Sequence, residues 1–170
     1  MVLGLLFTTE IITAQSPQNP INIIRYNDNF EALKTDSTKT GTEKLKYISL
    51  GKNTFLSVGG EVREVYQYFE NQNFGDVPPT FKEVSTGQVW HRIMAHANLE
   101  IGSDVRIFFQ LNNTLRLFNP NPLTPEIDEN VLSVHQAFID WNMNKNWQLR
   151  LGRQEMGYGN NRILTFREGP

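Results

Sequence analysis

Five arginines, Arg63, Arg92, Arg106, Arg116 and Arg150, recur at alternating positions beside the carboxylates of Glu61, Glu100 and Asp140. A guanidinium keeps its charge in any environment and presents a planar fork of donors that matches a carboxylate. Such a set suits non-covalent contact with anions. The seven lysines, Lys34, Lys39, Lys44, Lys46, Lys52, Lys82 and Lys145, fall instead in linker, loop or turn sequence. A solvated face accepts lysine as readily as arginine, so this segregation points to a wet, confined surface. Two uses of that surface stand open: a path for anions, or Arg–carboxylate braces between strands.

Other chemistries find little support. The chain has no cysteine, which excludes disulfides, thiolate metal sites and a Cys nucleophile. Ser133 and His135 share a strand face, but Asp140 has the opposite parity, so no Ser-His-Asp triad forms. By the same parity His91 and His135 are expected toward lipid. His96 and Glu100 lie about two pleats apart, too far to ligate one metal together. The acidic loop PLTPEIDEN offers Glu126, Asp128 and Glu129 but lacks the glycine and ligand spacing of a Ca²⁺ loop. No catalytic residue, metal site or cofactor is therefore expected, and the net charge of -2 gives no ground for a nucleic-acid partner.

The elements that carry these residues alternate with period two. Five segments, about 55–69, 88–101, 104–118, 131–142 and 147–156, set apolar against polar positions, and no helical period is evident. Ile93, Ala97, Ile107, Phe109, Leu115 and Ile139 are expected on one face, and Arg92, Arg106, Gln110 and Asp140 on the other. The connections run long, short, long, short, with tight turns near Gly102–Ser103 and Met143–Asn146. That order belongs to transmembrane β-barrels, which have long outer loops and short periplasmic turns. The segments also exceed the ~5–6 residues usual in soluble sheets and suffice for the ~9–11 that cross a bilayer at a tilt. Aromatics gather at both ends: Phe55, Trp141 and Trp147 at the short turns, and Tyr66, Tyr68, Phe69, Trp90 and Phe118 at the long loops. Two interfacial girdles would look like this.

The fold class expected is all-β: an antiparallel meander of about five strands, part of a larger transmembrane β-barrel. Residues 1–15 resemble part of a secretory signal peptide, and 16–53 read as a polar periplasmic linker with at most a helical turn around Phe30–Lys34. Residues 54–170 form the N-terminal part of the barrel. The polar face of these strands is expected to stand open, because five strands cannot close a barrel.

GGEVREVYQYFE, VWHRIMAHANLEIGSDVRIFFQLNN, SVHQAFIDW and, most specifically, RLGRQEMGYGNNRILTFREGP resemble the opening strands of the alginate export family of outer-membrane β-barrels. The resemblance implies that the chain is a piece of a longer barrel in the bacterial outer membrane, with the lipid bilayer as one partner. It further implies passive passage of an anionic polysaccharide or smaller anions. Glu61, Arg63, Arg92, Glu100, Arg106, Arg116, Asp140 and Arg150 would then line the pore, with Arg153, Arg162 and Arg167 at its outer mouth. A general porin or a transporter of another solute is the alternative, followed by an outer-membrane enzyme. Periplasmic partners are not indicated.

Overall fold

A computed structural model describes residues 22, 24–39, 41–70, 74, 76, 86–118 and 129–156. The signal-like stretch 1–15 lies outside these residues, as do Arg162, Arg167, Glu126 and Asp128. Six strands form one sheet in sequential order: β1 (Ile48–Gly51), β2 (Thr54–Phe69), β3 (Thr86–Ile101), β4 (Val105–Leu117), β5 (Asn130–Asn144) and β6 (Trp147–Arg153). Every neighbouring pair is antiparallel. The sheet is an open meander among the described residues. Against the five expected strands the addition is β1, a four-residue strand whose one neighbour among the described residues is β2.

The short turns form where their residues permit it. Gly102 takes φ +63 between β3 and β4, a left-handed conformation that glycine adopts without steric cost. Between β5 and β6 the side chain of Asn144 accepts hydrogen bonds from the backbone N–H groups of Asn146 and Trp147. The turn is thus closed by its own side chain. Gly102 also donates its N–H to the Asn53 carbonyl, which ties two short turns together at one end of the sheet.

Register then decides which side chains share a face. The β2–β3 and β3–β4 ladders run without a break, and β4–β5 holds register from Val105↔Trp141 to Gln110↔Gln136. A β-bulge follows, and His135 is its unpaired residue. An extra residue reverses parity beyond it, so the alternation that put His135 toward lipid fails here. His135 Nε2 instead lies 2.9 Å from Glu155 Oε1, and the polar-face residue Gln136 donates to Oε2 of the same carboxylate.

Burial is distributed the opposite way from a soluble sheet. Gln88, Arg92, His96, Asn98, Gln110, Thr114, Gln136 and Asp140 are buried, whereas Val62, Ile93, Ile107, Phe109, Ile139 and Leu151 are exposed. A soluble antiparallel sheet turns its apolar side to the core and its polar side to water; an exposed apolar side this extensive needs another apolar phase. Strands of sixteen residues such as β2 can cross a hydrocarbon layer ~30 Å thick even when tilted. No described helix is long and apolar enough to span a membrane, which leaves strand crossing untouched.

Two expectations about this packing need correction. Trp90 and Phe55 do not belong to the outward girdles: Trp90 is buried on the polar face and donates to Gln67 Oε1 at 2.6 Å, while Phe55 stands opposite Glu100 and stacks on Tyr47. Tyr66, Tyr68, Trp141 and Trp147 remain exposed and mark the two ends. Nor does the polar face stand open. The segment bounded by Asn22 and Tyr47 lies across it, carrying two single 3-10 turns (Arg25–Asn27 and Glu31–Lys34) and one helical turn, α1 (Glu43–Lys46). Its Phe30 and Leu33 are buried, and its Tyr26 packs edge-on against Phe108 and Phe138 of the sheet.

Candidate functional site

Unbroken register turns an alternating sequence into a row of charges. Glu100 of β3 stands opposite Arg106 of β4, Arg106 opposite Asp140 of β5, and Asp140 opposite Arg150 of β6. Opposite charges directly across a ladder stabilise it. Asp140 is almost wholly buried between its two neighbours. Arg106 Nε reaches its Oδ2 at 3.0 Å, and Arg150 reaches Oδ1 through Nε at 2.5 Å and Oδ2 through Nη2 at 2.9 Å. One carboxylate therefore serves two guanidiniums.

Glu61 repeats this pattern. Its Oε1 accepts from Arg92 Nη2 at 2.8 Å and its Oε2 from Arg25 Nη2 at 2.7 Å. Arg25 comes from the covering segment, so this second triad joins segment and sheet. Arg63 and Arg92 are opposite each other by register, a like-charge pairing that is unfavourable unless a carboxylate intervenes. The diagonal bond from Arg92 to Glu61 meets that need, and Arg63 stays exposed. At the long-loop end Arg116 pairs with Glu129 at 3.0 Å, and this hydrogen bond holds the Glu129 carboxyl below the usual carboxylate range.

The covering segment occupies the centre of the same face. The Arg150 guanidinium lies 4.3 Å from the Tyr26 ring centroid and 4.1 Å from that of Phe138, and Arg106 Nη1 donates to the Tyr26 carbonyl at 2.6 Å. Desolvated cation–π contacts of this kind are worth up to ~2 kcal/mol. Lys46 enters where Gly59 leaves room, since a Cβ on Gly59 would come within 2.2 Å of Nζ. Burial there pulls the Lys46 ammonium below its ordinary range, partly opposed by Asp28. Burial likewise raises the Asp28 carboxyl, against a backbone hydrogen bond from Asn22 and the charges of Arg25 and Lys46.

Of the residues singled out in the sequence, Glu61, Arg92, Glu100, Arg106, Asp140 and Arg150 are gathered on this face, with Arg116 and Arg63 toward the long loops. Arg153 is placed differently. It stands opposite Ala137, at the register parity of Leu149 and Leu151, at the end of β6. Arg162 and Arg167 fall outside the described residues. Ser133 stands opposite Asn112 and Asp140 opposite Arg106, several rows apart, so no catalytic cluster assembles around them. Among the described residues no group of three His, Asp or Glu could hold a metal ion.

Sequence reasoning missed Arg25, Tyr26 and Lys46, which reach the site from a segment with no periodicity. It also missed Glu155, which accepts from Gln136 and gathers with Gln110 and His135 around the β5 bulge. The spacing of Arg25-Tyr26 carries no signal, and only the contrast of an Arg-Tyr pair inside a lysine-bearing linker sets it apart. The assembled site is a row of guanidiniums that share carboxylates. Its carboxylates Glu61, Glu100 and Asp140 are each engaged by a donor.

Comparison with curated proteins and with solved structures finds no match. A family model described as alginate export matches residues 54–170, which takes in β2 to β6 and the whole charged row. The order of long and short connections, the inverted burial and this match over most of its length agree: the chain belongs to the alginate export family.

Proposed function

We propose that the polar face is the wall of an outer-membrane channel whose arginines carry an anionic polysaccharide, or smaller anions, across the bilayer. The observation that supports this most is the sharing of carboxylates. Asp140 is shared by Arg106 and Arg150, and Glu61 by Arg92 and Arg25. Each of these carboxylates thus answers two guanidiniums, which stay braced while presenting further donors to the face. Rings of Arg or Lys select anions, and conduction requires binding weak enough to release. A guanidinium already engaged by a carboxylate meets that second condition, because the incoming anion competes for donors that have a partner. Arg63, exposed beside this wall, adds a further cation.

Reversal potentials of the full-length protein in planar bilayers under a salt gradient test the reading. They are expected to favour anions, with a bias that shrinks as the Debye length falls from ~10 Å at 0.1 M to ~3 Å at 1 M salt. Arg92→Gln with Arg106→Gln should weaken the bias without orphaning an acid, since Glu61 keeps Arg25 and Asp140 keeps Arg150. Liposome swelling with anionic against neutral sugars separates this channel from a general porin. Cation preference, or a bias unmoved in the double variant, would reduce the arginines to wall braces.

A further inference from the structure

The segment bounded by Asn22 and Tyr47 does more than join the barrel to what precedes it. It lies across the face proposed above as a channel wall and engages the groups that an anion would meet there. Arg106 spends one donor on the Tyr26 carbonyl, Arg150 stacks on the Tyr26 ring, and Arg25 fills the second side of Glu61. Lys46 sits in the gap left by Gly59, against the ring of His96, which itself stacks near Phe108 at 6.0 Å.

The character of these contacts matters as much as their place. Buried apolar anchors among the described residues of the segment are Phe30 and Leu33, the rings of Tyr26 and Tyr47 pack on Phe108, Phe138 and Phe55, and the other contacts are ionic, cation–π or hydrogen-bonded. Polar contacts contribute little net free energy apiece because water replaces them when they part. A neutral carbonyl is also a weaker acceptor for a guanidinium than a carboxylate, which adds an opposite charge and a bidentate fit. The attachment is therefore one that can come undone without disturbing the strands beneath.

We propose that this segment is an internal plug: docked, it narrows the path along the wall; undocked, it frees Arg106 and Arg150 and opens it. The inference rests on the channel reading, and its test separates the two. In planar bilayers the full-length wild type should switch between a low and a high conductance level. Removal of residues 22–47, or Arg25→Gln combined with Tyr26→Ala, should leave the high level alone and raise the mean conductance severalfold. Heat-modifiable migration reports whether each variant is folded. If the deletion fails to assemble, a cross-link decides. These 170 residues contain no cysteine; with any cysteine elsewhere in the full-length protein replaced by serine, Arg25→Cys and Glu61→Cys can be joined by a bifunctional methanethiosulfonate reagent that reductant cleaves. Bridging should abolish the high level, and reduction should restore it. Conductance levels unchanged by bridging, reduction and the double substitution would overturn the plug while leaving the channel standing. A protein that forms no pore in any of these forms would overturn the channel and the plug with it.

Discussion

Asp140→Asn is expected to destabilise the folded barrel by about 2–3 kcal/mol and to sharpen its preference for anions. Removing one partner of a buried ion pair typically costs ~3–5 kcal/mol, because the remaining charge is left buried and alone. Here two guanidiniums lose their common partner, but each retains about a fifth of its side-chain exposure, 23% for Arg106 and 19% for Arg150, so solvent screening brings the cost below that range. The amide keeps the shape of the carboxylate and can still accept one hydrogen bond. It removes the negative charge, however, and the row Glu100–Arg106–Asp140–Arg150 becomes more positive. Urea unfolding in lipid vesicles measures the first effect and reversal potential the second. A variant as stable as the wild type would mean that the arginines are fully hydrated and that Asp140 braces nothing.

Phe109→Arg should act with similar size and opposite logic. Phe109 is exposed on the apolar face, between Ala97 of β3 and Ala137 of β5. An arginine on the lipid side of a barrel costs ~2–4 kcal/mol near the bilayer midplane and only ~0–1 near the interfaces. Trp147→Arg, at the short-turn end, should therefore cost far less than Phe109→Arg although Trp147 is the more exposed side chain. In a soluble sheet the order would follow exposure, and both substitutions would be mild. The comparison therefore separates a lipid-facing surface from one that merely lacks a cover.

How much of this was legible beforehand depended on whether the determining contacts were local. Strands β2 to β6 could be read because alternation and turn residues act within a few positions, as Gly102 and Asn144 show. The charged row followed from the same alternation once the short turns fixed register. β1 escaped notice because four residues, Ile48 to Gly51, give too few positions to display a period. His135 was misplaced, and the face of Arg153 was not announced, for a related reason. A bulge in β5 breaks parity at the first, and register opposite Ala137 gives the second an apolar-side position that its charge does not announce. Trp90 illustrates the limit of composition: an aromatic near a strand end fits a girdle, yet its indole N–H found a partner in Gln67 on the other face. The covering segment was invisible for the strongest reason, since Arg25 meets Glu61 and Tyr26 meets Phe138 across distances in sequence that no pattern bridges.

Everything proposed for the site depends on the polar face meeting water while the apolar face meets lipid. These 170 residues contain no cysteine, so with any cysteine elsewhere in the full-length protein replaced by serine, single substitutions can report this position by position in vesicles. Adjacent pairs are the sharpest probes: Val62→Cys against Arg63→Cys, Leu111→Cys against Asn112→Cys, and Leu149→Cys against Gln148→Cys. Within each pair the account predicts that the second site reacts with a charged, membrane-impermeant thiol reagent. The first should resist that reagent and, once labelled with a small fluorophore, be quenched by nitroxide-bearing lipid. Uniform labelling of both members, or quenching on the Arg63, Asn112 and Gln148 side, would contradict it.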